Sequence, residues 1–206
     1  MNATKLLLGT ALIAMAGTSA LGQISLSEHN FSSYGWSQGE ICKPCHTPHF
    51  ASMPFPLWNH ALTNATYTMH DGPGTAAVDL DERSRMCLGC HDGTVALDSF
   101  GGATGSNFIG VTGNLGTDLS NDHPIGSEAV YPTTASTSYN AQTADHRVGP
   151  AGGNQLRLRT WVNPSGVTEY VVGCTTCHSA HNTGNHNGML RFSNSSSAMC
   201  LTCHIK

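Results

Sequence analysis

All eight cysteines of the chain lie in four copies of one short motif, CxxCH, and this feature constrains the fold more than any other. The copies are CKPCH at 42–46, CLGCH at 87–91, CTTCH at 174–178 and CLTCH at 200–204, here called motifs 1 to 4. This spacing is typical of c-type haem attachment, in which both thiols form thioethers and the adjacent histidine binds the iron. The sequence therefore predicts four covalently bound haem c groups with their iron.

Three other uses of paired cysteines compete with haem. Zinc ribbons contain CxxC pairs but do not need a histidine directly after the second cysteine. Thioredoxin-like CxxC motifs require a βαβ setting and normally occur once. Disulfides are common in exported proteins but do not explain four histidines at one spacing. The histidines thus favour haem.

The haem-attachment residues follow directly from the motifs. We expect the thioethers and the proximal iron ligands at these positions: Cys42, Cys45, Cys87, Cys90, Cys174, Cys177, Cys200 and Cys203 for the thioethers, and His46, His91, His178 and His204 for the irons.

The N-terminus has the pattern of an export signal. Lys5 precedes a short apolar run at 6–16, and small residues follow, so cleavage after Ala20 or Gly22 is expected. The run is shorter than a bilayer span, and we expect no transmembrane segment. The sequence predicts a signal peptide at 1–22 and a single tetrahaem domain at 23–206.

Composition predicts a fold with little regular structure. Only 39% of the residues are apolar and 11% are charged, so the chain has little surface with which to build a core. We expect a mostly irregular coil, with short helices at the CxxCH motifs and the haems as the core. A helix is predicted at DERSRMCLGC. A β-hairpin is predicted at 156–172, where it would cover a haem face or form a subunit contact.

The net charge of −4, without a run of Lys and Arg, argues against a nucleic-acid partner.

Each iron has a second axial position, for which eight further histidines compete. His49 and His181 stand three residues after the proximal histidine in CHTPH and CHSAH, on the proximal side of their own haem. We expect each to bind a neighbouring haem, so that one short motif holds two irons close together. His29 and His123 are the next candidates, and His60 is a fifth. The remaining histidines (His70, His146 and His186) are predicted to face solvent.

Several blocks between the motifs resemble the tetrahaem cytochromes of the OmcE type. These blocks are EICKPCHTPH, PLWNH, CLGCHDGTVALDSFGG, NLGTDLSNDHPI and the CTTCHSAH…MCLTCH ending, whereas 130–160 has no counterpart. The resemblance implies an extracellular filament with bis-His irons, one axial histidine coming from the adjacent subunit. Carried over by motif, the distal ligands are His29, His49, His123 and His181, with His60 in reserve. His29 is interpreted as the axial histidine that reaches the adjacent subunit, because its segment is terminal.

Three functions follow from these observations. The first is a non-catalytic homopolymer at the cell surface, which passes electrons from redox partner proteins to extracellular acceptors. The second is a monomeric tetrahaem shuttle in the periplasm. The third is a multihaem reductase, which would need one haem with an open distal side.

Overall fold

The computed structural model describes residues 22–53, 56–70, 72–73 and 79–206. Apart from Gly22, the signal peptide predicted at 1–22 lies outside the described residues. In the described part of the chain, no helix has the length and apolar character needed to cross a membrane.

The described chain is mostly coil, which confirms the predicted fold class. The α-helices are α1 (Glu82–His91), α2 (Cys174–Cys177) and α3 (Cys200–Cys203). The strands form antiparallel pairs, namely β1 (Thr68–Met69) with β2 (Gly72–Pro73), β3 (Arg147–Val148) with β4 (Leu156–Arg157), and β5 (Arg159–Val162) with β6 (Thr168–Val171). Short 3-10 helices occupy Ile24–Leu26, Phe31–Ser33, Gly35–Ser37, Gly126–Ala129, Asn187–Met189 and Ser195–Ser197.

Helix α1 is the longest described helix, and it confirms the helix predicted at DERSRMCLGC. Its N-cap is Asp81, whose carboxylate accepts hydrogen bonds from the backbone N–H groups of Arg83 and Ser84 at 3.1 and 3.2 Å. Such a cap satisfies donors that have no partner within the helix. Leu88 and Met86 are buried and fix the helix against the fold. The last turn of α1 therefore holds motif 2 on a rigid support.

The predicted hairpin is also present, as strands β5 and β6. Its turn is built by Asn163, whose side chain accepts hydrogen bonds from the N–H groups of Ser165 and Val167, both at 3.0 Å. Trp161 and Val171 are buried. Val171 also forms an isolated bridge to Val130, so the hairpin packs against its own chain.

The segment at 130–160, which has no counterpart in the resemblance, supports motif 4. The backbone N–H of Asn140 donates to the carbonyl oxygen of Cys203 at 2.9 Å, and the Tyr131 hydroxyl donates to the same carbonyl at 3.2 Å. The N–H of Ile205 donates to the Ser138 carbonyl at 2.8 Å. These hydrogen bonds hold the chain on both sides of His204 in motif 4.

The apolar core is divided into small clusters near the motifs. One contains Leu88 of α1, and two others include the partly buried Cys203, one of these also touching Cys177. Clusters of three to five buried residues supply little burial energy to a chain of this size. That haems complete the core stays a prediction.

Candidate haem-binding sites

The CxxC part of motifs 1, 3 and 4 forms a single helical turn. It is closed in each case by a hydrogen bond from the histidine N–H to the carbonyl of the first cysteine, at 2.8, 3.0 and 2.9 Å respectively. Residues three apart on a helical turn lie on the same side. Both thiols of each motif are thereby presented together, as two thioethers to one macrocycle require.

Three of the four proximal histidines are held in a tautomer suited to iron binding. The Nδ1–H of His46 donates to the Pro56 carbonyl at 2.9 Å. Those of His91 and His178 donate to the carbonyls of Gly113 and Gly188, both at 2.7 Å. A proton fixed on Nδ1 leaves the Nε2 lone pair free as a ligand. This donor set fits haem iron.

The imidazole rings of proximal and distal candidates form three pairs. Two metal–imidazole bonds of about 2 Å, together with the size of each ring, place two axial rings about 6 Å apart, centroid to centroid. The observed centroid distances match this spacing: 6.0 Å for His46 and His181, 6.0 Å for His91 and His29, and 6.2 Å for His204 and His123. The pairs therefore have room for one iron each, and ligation itself stays a prediction.

The pairing crosses between motifs. His181 follows motif 3, yet its ring faces His46 of motif 1. This is the arrangement expected for a histidine that follows the proximal one by three residues. His29, which we expected to cross to another subunit, lies 6.0 Å from His91 of the same chain, centroid to centroid, and the crossing itself stays untested.

His178 and His49 are the two ligand candidates left over. Both are exposed. Within the described residues, neither has another aromatic or imidazole ring beside it. One proximal and one distal candidate thus stand without a counterpart in a single described chain.

His60, the reserve candidate, occupies a different kind of site. It is only 1% exposed, and its Nδ1 and Nε2 lie 2.7 and 3.0 Å from the carbonyl oxygens of Ala61 and Ala96. Its Nε2 is also 3.6 Å from Sγ of Cys90. With both ring nitrogens beside protein atoms, His60 packs against motif 2, and its reserve role as an iron ligand stays a prediction.

His146 differs from its predicted exposure. It is half-buried and stacks on Tyr170 with 3.2 Å between ring centroids, while its Nδ1 lies 2.8 Å from Oε1 of Gln142. No local pattern predicts this contact, because Tyr170 belongs to the distant hairpin.

Burial opposes the thiolate form of three attachment cysteines, whereas a hydrogen bond with Cys87 lowers the pKa of Cys174. Burial raises the pKa of the Cys45 and Cys177 thiols to about 11 and that of Cys90 to about 12. A raised pKa keeps a thiol protonated, whereas zinc-binding and catalytic cysteines favour the thiolate. In the described part of the chain, moreover, no three His, Cys, Asp or Glu side chains are grouped as a metal site.

Motifs 1 and 3 share a local structure that extends well beyond CxxCH. In motif 1, the N–H of Thr47 donates to the Leu57 carbonyl at 2.9 Å, and in motif 3 the N–H of Ser179 donates to Met189 at 2.8 Å. Leu57 and Met189 both have positive φ, 62° and 54°. We did not predict this correspondence, although the shared CxxCHxxH pattern was its signal.

Comparison with known proteins agrees with this picture. No curated protein matches the chain. Residues 168–206, which contain motifs 3 and 4, match the family described as the doubled CXXCH motif. Together with motifs 1 and 2, which have the same form, this match supports a multihaem c-type cytochrome that transfers electrons.

Proposed function

We propose that this protein carries electrons through four bis-His haem c groups as the subunit of an extracellular homopolymer. The polymer conducts electrons from redox partner proteins to acceptors outside the cell. Support comes from the regular attachment motifs, the three imidazole pairs and the resemblance of the intervening sequence blocks to OmcE-type cytochromes.

The observation that carries the polymer is the pair of histidines without counterparts. His29, His123 and His181 each lie beside a proximal candidate of the same chain, whereas His178 and His49 have no such counterpart among the described residues. If His49 of one copy binds the iron held by His178 of the next, every iron gains two histidines. Because donor and acceptor are different surfaces of the chain, such a contact repeats head to tail and propagates.

The surroundings of His49 favour contact with another molecule. Phe50 is fully exposed with φ 57°, and Leu57 is 47% exposed with φ 62°. Left-handed backbone is costly for such side chains. Exposed apolar groups in strained backbone beside an unpartnered ligand are what a second copy would cover.

The chain's own residues position the redox centres. The carbonyls of Pro56, Gly113 and Gly188 orient the proximal rings. Only two residues separate His178 from His181, whose ring faces His46, so this segment keeps the sites of motifs 1 and 3 adjacent. Haem, when bound, supplies one-electron redox chemistry, and close spacing of sites allows electrons to pass between them.

The experiment compares His49→Ala with His70→Ala, an exposed histidine with no expected role as a ligand. Each full-length protein is expressed with haem maturation, and the secreted fraction is imaged by electron microscopy. We expect filaments from the wild type and from His70→Ala. We expect only short or monomeric particles from His49→Ala, with one high-spin haem in four. In a companion His49→Met variant, the perturbed spectrum should belong to a haem other than the one on Cys42 and Cys45.

The same experiment separates the alternatives. Filaments formed by His49→Ala, or wild-type protein that stays monomeric at its native concentration, would contradict the polymer. A wild-type monomer with all haems low-spin would indicate the periplasmic shuttle. His178 is exposed and has no distal candidate beside it among the described residues; this observation favours a reductase, and a wild-type monomer with one high-spin ferric haem would support it.

A further inference from the structure

Arginines from distant parts of the sequence converge on motif 3. Nη2 of Arg159 in β5 donates to the carbonyl oxygen of Thr175 at 2.7 Å, and Nε of Arg191 donates to the same oxygen at 2.9 Å. Thr175 lies inside the CTTC turn, between Cys174 and Cys177. The chain contains only nine Lys and Arg residues, so two guanidinium groups on one carbonyl are a marked concentration of positive charge.

The electrostatics of this cluster are unfavourable in the protein alone. Burial, together with the charges of Arg191 and Arg83, lowers the pKa of Arg159 to about 10, against a smaller opposing effect of Asp81. Burial and the charge of Arg83 also lower the pKa of Arg191. Nε of Arg159 is buried and has no hydrogen-bond partner in the described part of the chain. Like charges therefore face each other in a partly desolvated place, where their repulsion is poorly screened.

We propose that Arg159 and Arg191 raise the reduction potential of the haem attached at Cys174 and Cys177. Reduction of a ferric iron takes up one electron from the donor and lowers the charge of the site by one. Positive charges held beside the attachment residues stabilise that reduced state more than the oxidised one. The inference rests on the proposed haem function.

Under that function, the affected haem has a particular place in the polymer. It is the one held by His178, and it would receive His49 from the next copy. The arginines would thus set the potential at the junction between subunits. They place positive charge beside the attachment turn through the Thr175 carbonyl and are positioning residues, not proposed ligands of the iron.

The test is a spectroelectrochemical titration of the full-length holoprotein with Arg159→Gln and, separately, Arg191→Gln. We expect one haem to shift its reduced-to-oxidised ratio by up to about tenfold at a fixed potential. This corresponds to a midpoint lower by as much as about 59 mV for one electron. Arg159→Lys keeps the charge and should retain the wild-type midpoint. Arg157→Gln removes an exposed charge two residues away and serves as the matched control.

Each outcome has a distinct meaning. Unchanged midpoints in both glutamine variants would overturn the proposal, as would an Arg159→Lys midpoint equal to that of Arg159→Gln, or an Arg157→Gln shift of the same size. If Arg159→Gln does not take up haem, Arg191→Gln decides. Haem content and low-spin absorption are recorded in parallel. Their loss in the wild type would mean that the proposed function fails, whereas full haem content with unmoved midpoints means that only this inference fails.

Discussion

The loops after motif 1 and motif 3 share their backbone conformation but have opposite surroundings. Phe50 and Asn182 stand at equivalent positions, with φ 57° and 52°. Asn182 is 3% exposed, and its side-chain amide donates to the Gln23 carbonyl at 3.4 Å. Phe50 is fully exposed. One loop is covered by its own chain, and the other is covered by nothing in the described residues.

The two loops differ in the segment that covers them, and not in the motif that precedes them. The N-terminal segment lies over the motif 3 loop, where Nδ1 of His29 donates to the Ala180 carbonyl at 3.2 Å. With that loop fixed, His181 meets His46. No described segment covers the motif 1 loop in this way, which leaves His49 available for a partner within the described structure.

The largest effect is expected from His181→Ala, which removes the described partner of His46. In the dissociated monomer, the haem on Cys42 and Cys45 should change completely from low-spin to high-spin, because one of its two strong-field ligands is lost. Electron paramagnetic resonance of the ferric protein measures this change. His49→Ala, in the same dissociated state, should leave that haem low-spin. If both variants gave the same spectrum, the assignment of His181 to motif 1 would be wrong.

A smaller effect, on thermal stability, is expected when phenylalanine, the residue at position 50, replaces Asn182 in the covered loop. Asn182→Phe forces an aromatic ring into a buried site, and overpacking of this kind costs about 1–3 kcal/mol. For a protein of this size, thermal unfolding should occur roughly 2–10 °C lower. Asn187→Phe, at an exposed position on the same loop, is the control and should change the midpoint little. Equal losses in both variants would show that the packing of Asn182 does not matter.

Local signals made part of this molecule predictable from sequence. Helix α1 begins at an Asp N-cap, and the hairpin turn carries NPSG, so both elements follow from nearby residues. The histidine pairs were only partly predictable. His29 and His60 look alike in sequence, but His60 is engaged by the carbonyl of Ala96, 36 residues away.

The arginine cluster is the clearest example of a feature that the sequence alone does not predict. Arg83, Arg159 and Arg191 are far apart in the chain, and the sequence alone predicted no basic patch. They meet only because β5 and the segment after motif 3 both pack against the CTTC turn. Contacts of this kind depend on the complete fold, and no local pattern encodes them.

The smallest effect is expected from Phe50→Asn, which gives the uncovered loop the residue found in the covered one. Asparagine tolerates left-handed backbone better than phenylalanine, so the monomer should be unchanged or more stable by up to about 1 kcal/mol. Polymerisation should weaken, because an exposed apolar contact beside His49 is lost. Leu26→Asn, which removes another exposed apolar side chain (69% exposed) far along the chain from His49, is the control. Sedimentation of filaments against protein concentration measures the difference. An unchanged critical concentration for Phe50→Asn would mean that the surface around His49 makes no contact between copies, even if His49 itself does.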